Sequence, residues 1–114
     1  MVAQSSPLRV ELSASALAKL DEIGDWNAQT YGAEHAHEYV SFLKAETAKL
    51  STLYFLGKRV PNRSNLHYIV IRKRRRGHGH IAVFELIGDV IYVITYYHTA
   101  QDWQNRLRQE FREK

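Results

Sequence analysis

The dipeptide Gly88-Asp89 restricts the possible folds of this chain more than any other feature. It lies between two apolar-rich runs, IAVFELI and VIYVITYYH. A two-residue connection with glycine first suits a type II′ hairpin turn: glycine takes the positive-φ position, and the turn's twist matches that of the strands. With Ile87 opposite Val90, the register predicts Glu85 opposite Tyr92, Val83 opposite Ile94 and Ile81 opposite Tyr96. The other face then carries Leu86, Phe84, Ala82 and His80 against Ile91, Val93, Thr95 and Tyr97. Both faces are apolar near the turn, which predicts an inner hairpin rather than an exposed edge.

The rest of the chain reads around that hairpin. Leu8 to Leu12 alternates apolar and polar residues and predicts a short edge strand. Ser13 stands where a helix N-cap is expected. Ala16, Leu20, Ile23 and Asn27, with Leu17, Gly24 and Tyr31 beside them, follow helical spacing as far as Gly32, a natural helix stop. Ala36, Tyr39, Val40, Leu43, Thr47, Leu50 and Leu53 predict a second amphipathic helix ending near Gly57. So short a junction makes an antiparallel helical hairpin. GKRVPNRSN, residues 57–65, is a loop by composition. Leu66 to Lys73 predicts a strand, with Leu66, Tyr68 and Val70 on one face and His67, Ile69 and Ile71 on the other. From Thr99 the spacing is helical again, with Trp103, Leu107 and Phe111 in one row. The order is β-α-α-β-β-β-α. It predicts an α+β domain over 8–114, an antiparallel sheet with an N-terminal helical hairpin packed on one face and a C-terminal helix. Residues 1–7 are expected to be a poorly ordered lead-in.

Charge separates the two halves of the chain. Residues 1–57 hold four basic and seven acidic residues, whereas 58–114 hold twelve basic and five acidic, and none of the acidic ones lies between Lys58 and Phe84. A positive field confined to one region suits an anionic partner, either nucleic acid or an acidic protein segment; a solvated turn is the plainer alternative. The chain of 114 residues has no cysteine. Disulfides, thiolate metal sites and a thiol nucleophile are therefore excluded, which suits a reducing, cytoplasmic setting. No apolar run is long enough for a membrane span, and the N-terminus lacks the features of a signal peptide.

Four of the six histidines, His67, His78, His80 and His98, lie in or just after the predicted sheet. His78 and His80 share the spacing of two metal ligands on one strand face, but no third ligand stands nearby, so neither a metal nor a cofactor is expected. His98 ends a strand ahead of a helix, where it can act as a general acid or base or simply cap the helix start. Arg72, Lys73, Arg74, Arg75 and Arg76 lack any glycine cradle for a nucleotide, yet suffice for phosphate-backbone contacts or an acidic tail. Tyr68, Phe84, Tyr92, Tyr96 and Tyr97 can stack bases or serve as core, with Phe84 expected to face inward.

The helical hairpin, the basic strand, the short-turned hairpin and the closing YYHTAQDW, with His98, Asp102 and Trp103, resemble the ParE/RelE superfamily of type II toxin–antitoxin toxins. The resemblance runs from about Arg9 to Leu107. It implies a toxin neutralised by an antitoxin whose C-terminal segment wraps it. RelE-like members cleave messenger RNA on the ribosome with basic and aromatic residues of an open sheet face. ParE-like members are associated with poisoning DNA gyrase. The positions where the ribonucleases commonly carry cations align here with Ile81, Glu85 and Thr95, a poor set for stabilising a phosphorane-like transition state. The resemblance therefore implies a ParE-like, non-enzymatic toxin that binds gyrase. Arg72, Lys73, Arg74, Arg75, Arg76, His98 and Trp103 would form its target-binding set. An incompletely covered sheet and an apolar helical hairpin suit an acidic, partly disordered ParD-like antitoxin. Two alternatives stand: a RelE-like endoribonuclease using His98, Tyr96 and Tyr97, and a non-toxic basic nucleic-acid-binding module.

Overall fold

The computed structural model describes residues 7–112, so the predicted lead-in lies, apart from Pro7, outside the described residues. In chain order the elements are β1 (Arg9–Leu12), α1 (Ala14–Tyr31), α2 (Ala33–Ala48), α3 (Leu50–Leu53) with a 3₁₀ turn (Tyr54–Leu56), β2 (Lys58–Arg59), β3 (His67–Ile71), β4 (His80–Ile87), β5 (Val90–His98) and α4 (Trp103–Glu110). The sheet order is β1-β5-β4-β3-β2, with the Gly88-Asp89 hairpin inside it. Gly88 sits at φ 61 and, among the described residues, Asn62 alone of the non-glycines has positive φ, which leaves Asp89 negative as a type II′ turn requires.

Two predictions about the sheet need correction. It is mixed rather than antiparallel: β1 lies parallel to β5, from Arg9 opposite Val90 to Leu12 opposite Val93, and β2 adds a short strand from the predicted loop. Tight turns announce antiparallel neighbours, but a parallel pair so distant in sequence leaves no local signal. The hairpin register is the second correction. It runs as predicted from Ile87–Val90 to Phe84–Val93, and then a β-bulge shifts it, so that Val83 pairs with Thr95 and Ile81 with Tyr97. Ile94 is the extra residue.

Ser13 holds that bulge. Its N–H donates to the Val93 carbonyl at 2.9 Å, and its hydroxyl donates to the Ile94 carbonyl while accepting from Ala16 N–H at 3.0 Å. The predicted N-cap is therefore also the joint between α1 and β5. At the far end of α1, Gly32 N–H closes on the Ala28 carbonyl. The second helix pauses at Lys49, in a turn between α2 and α3.

The bulge sorts the side chains between two cores. On the helical-hairpin side, Ala16, Leu20, Leu43 and Leu50 pack against Ile71, Ala82, Phe84, Ile91, Val93 and Tyr96, which confirms the inward face expected of Phe84. Thr47 links the layers: its hydroxyl donates to the Leu43 carbonyl and receives the Tyr96 hydroxyl, both at 2.7 Å. On the opposite face α4 lays Leu107 over Ile81, Val83 and Tyr97, with Val60 and Leu66 beside them. This face is open toward the hairpin turn, where Ile87 and Tyr92 remain exposed, and at Val70 of β3; Leu86 is exposed as well.

Candidate target-binding surface

The basic segment predicted as a turn leaves the sheet after Ile71. Arg72, Lys73, Arg74, Arg75 and Arg76 are all exposed, and none joins an ion pair found among the described residues. Arg72 Nε donates back to the Gly77 carbonyl at 3.0 Å, and Lys73 Nζ lies 5.6 Å from the centre of the Phe42 ring. The turn is pinned at its base. Gly79 N–H donates to Thr99 Oγ1, and Thr99 N–H donates to the Gly79 carbonyl, both at 3.0 Å. A side chain at 79 cannot be accommodated, because its Cβ would stand 2.2 Å from the Ile71 carbonyl oxygen. Five cations thus project from a fixed platform.

The histidines gather beneath this turn. The His98 ring lies 5.2 Å from those of both His78 and His80. His80 is buried, and its Nδ1 stands 2.6 Å from the Tyr39 hydroxyl. Burial holds that phenol protonated, raising its pKa to about 12, and lowers His80 to about 4, with His98 adding a smaller electrostatic push. Tyr39 therefore donates and His80 accepts. His98 Nδ1 accepts from Ala100 N–H at 3.0 Å, and the His98 backbone N–H donates to Gln101 Oε1 at 2.9 Å. Burial, then His78, lowers its pKa. With Nδ1 committed as an acceptor, the proton of the neutral ring sits on Nε2, and a base or metal ligand at Nε2 would have to displace Ala100 N–H. His98 Nδ1 thus holds the turn ahead of α4 rather than the helix start, where Asp102 is the N-cap and no side chain makes a capping bond. Among the described residues no three His, Cys, Asp or Glu side chains form a group able to hold a metal.

The other site candidates fall away from solvent. Tyr96 and Tyr97 are each only 1 % exposed, with hydroxyls committed to Thr47 and Glu110. Neither offers a ring for a base to stack on, a correction that traces to the bulge and to α4. Ile81 and Thr95 are likewise buried, and Glu85 accepts from Asn65 Nδ2 at 2.8 Å. Trp103 is half-buried, 4.6 Å from Tyr68 between ring centres, so its main contact is with the second core.

Three surface features escaped the sequence reading. Trp26 and Tyr31 are both 59 % exposed and touch edge to face at the tip of the helical hairpin, with His35 beside Tyr31. Leu53, Leu56 and Val70 line a groove of about 430 Å³ between α3 and β3. A cleft of about 480 Å³ between the loop after β2 and α4 is lined by Arg63, Arg108 and Arg112. Apolar residues out of phase with the helical stripe could have flagged Trp26; nothing local joins Arg63 to Arg112. Among the described residues no helix is long and apolar enough to cross a membrane.

A family model described as the ParE toxin of the type II toxin-antitoxin system parDE matches residues 10–103. Among solved structures, one described as the chromosomal ParDE TA system from P. aeruginosa is similar in fold. It superposes with a TM-score of 0.68 at 19% sequence identity, over 81% of this chain and 96% of that one. No curated protein matches the sequence.

Proposed function

The chain belongs to the ParE toxin family of type II toxin–antitoxin systems, and on that premise we propose that it arrests growth by binding DNA gyrase, without chemistry of its own. The observation that carries the non-enzymatic part is the second sheet face. Where ribonucleases of the superfamily commonly carry cations, Ile81 is 3 % and Thr95 0 % exposed, and Ile81 packs with Leu107 of α4. A transition state gathering negative charge would find no donor there. The bond from Ala100 N–H to His98 Nδ1 and the burial of Tyr96 and Tyr97 also count against the messenger-RNA endonuclease. The exposed cations from Arg72 to Arg76, with His98 and Trp103, form the target-binding set, on a turn that Thr99 pins through Gly79.

Supercoiling and cleavage assays with purified protein test this directly. At concentrations that arrest cells, the protein should inhibit supercoiling or trap cleaved DNA on gyrase; an enzyme left untouched would reject gyrase as the target. Discrete transcript cuts after induction, lost in His98→Ala, would instead favour the endonuclease. Membership of this family also calls for an antitoxin partner, and we assign it an acidic, ParD-like segment that orders on contact. The exposed apolar side chains along α3 and β3, next to Lys49, Lys58 and Arg72, suit such a segment.

A further inference from the structure

The tip of the helical hairpin carries an aromatic surface that neither core uses. Trp26 and Tyr31, near the end of α1, are both 59 % exposed, with ring centres 5.8 Å apart, and the His35 ring of α2 lies 4.6 Å from that of Tyr31. The tip stands clear of the sheet. Lys19 Nζ sits over the Tyr97 ring, next to the end of β5, whereas α1 runs on to Tyr31, roughly 18 Å farther at the helical rise. Charge around the rings has one sign. From Leu20 to Leu43 the sequence holds no lysine or arginine, while Asp21, Glu22, Asp25, Glu34 and Glu38 are all exposed. None of these carboxylates joins an ion pair found among the described residues. A single exposed aromatic residue is ordinary, but two in contact inside a polar rim mark an interaction surface.

We propose that this tip binds the basic turn, Arg72 to Arg76, of a second copy of the chain. The rim decides the chemistry of the occupant. Its carboxylates repel a phosphate backbone or an anionic lipid surface, and an apolar partner would strip them of water without compensation. Guanidinium groups satisfy both parts of the surface: they stack on the faces of Trp and Tyr, and they bond carboxylates through paired donors. The turn supplies them. Arg72, Lys73, Arg74, Arg75 and Arg76 are exposed, join no ion pair found among the described residues, and stand on the platform that Gly79 and Thr99 fix. The chain's own turn is held away from its own tip, because Lys73 lies over Phe42, roughly 15 Å along α2 from Gly32. The contact therefore joins two molecules. Exposed cation–π contacts and rim ion pairs are individually weak, so the association is of low affinity and sensitive to salt. A turn occupied in this way is withheld from any other partner. The proposal uses the turn's exposed charge and not its reading as a gyrase-binding element, so it stands or falls without gyrase.

Sedimentation of the full-length protein over a concentration series, at about 50 mM and about 500 mM salt, tests this. The wild type should associate at low salt, with a dissociation constant that rises about tenfold or more at high salt. Trp26→Ala should weaken association about fivefold or more, and Trp26→Phe, which keeps a ring, should weaken it less. Arg74→Gln/Arg75→Gln/Arg76→Gln should abolish it. All of these side chains are exposed, and circular dichroism checks that each variant keeps its fold. The decisive sample is a mixture. The Trp26→Ala chain keeps an intact turn and the turn variant keeps an intact tip, so together they should associate more tightly than either does alone. A wild type that stays monomeric at low salt throughout the series would overturn the proposal, as would association that survives either set of substitutions or a mixture no tighter than its components. So would an oligoarginine peptide that binds the tip of a chain which itself stays monomeric, since the tip would then belong to a different basic partner.

Discussion

His80 is the residue whose chemistry departs furthest from the ordinary. Its folded pKa of about 4 lies below the unfolded value of 6.5, so between these limits the unfolded chain binds the extra proton. Stability from this group is complete above about pH 6.5 and is lost as the pH falls toward 4, a change on the order of 3 kcal/mol. His98, also lowered, acts in the same direction. Denaturant titrations from pH 7 to 4 should show this slope, and His80→Phe should flatten it even though the variant starts lower for want of a partner to Tyr39. An unchanged slope would mean that His80 is not neutral and buried. Gly79 is the other decisive residue. Gly79→Ala should cost about 2 kcal/mol or more, because its Cβ meets the Ile71 carbonyl and the backbone must move. Thermal unfolding measures that directly. The histidine spacing was legible in the sequence, but the buried state of His80 was not, since Tyr39 arrives from a helix 41 residues away.

At the scale of elements, two polar joints hold the helical hairpin to the sheet. Ser13 serves the helix and the bulge together, so Ser13→Ala should lose about 1–2 kcal/mol, more than an isolated cap at the low end of the range. The bond from Tyr96 to Thr47 is fully buried. Thr47→Val should cost about 1–3 kcal/mol by stranding the phenol, and adding Tyr96→Phe should recover part of it. A double-mutant cycle in urea checks both expectations. Helix starts and stops were readable from Ser13, Gly32 and Gly57 because capping acts within a turn of the chain. The bulge was not readable, and it alone decides that Tyr96 faces the helices and Tyr97 faces α4.

For the whole molecule, the separated charge is the property most open to measurement. Arg74, Arg75 and Arg76 are exposed, so replacing all three with Gln should move stability by only about 0.5 kcal/mol. Association with an acidic partner or with gyrase should nevertheless slow and lose much of its dependence on salt, because exposed charge acts chiefly on the encounter rate. Stopped-flow or surface-binding measurements across ionic strength would show this. Rates that match the wild type would remove the turn from the target-binding surface.

The sequence by itself determined the α+β class, the order of the principal elements, the hairpin turn, the helix caps and the exposed basic turn. Each follows from side-chain period, backbone preference or charge over a few neighbouring residues. Tertiary structure decided the direction of β1, the register beyond Phe84 and the closing of one sheet face by α4. These depend on contacts such as Ser13 with Ile94, 81 residues apart, where the energy of the pairing belongs to neither segment alone. The same division separates the two views of function. The basic residues of the turn were visible as a run, whereas the burial of Ile81, Thr95, Tyr96 and Tyr97 arises from the packing of layers on both sides of the sheet.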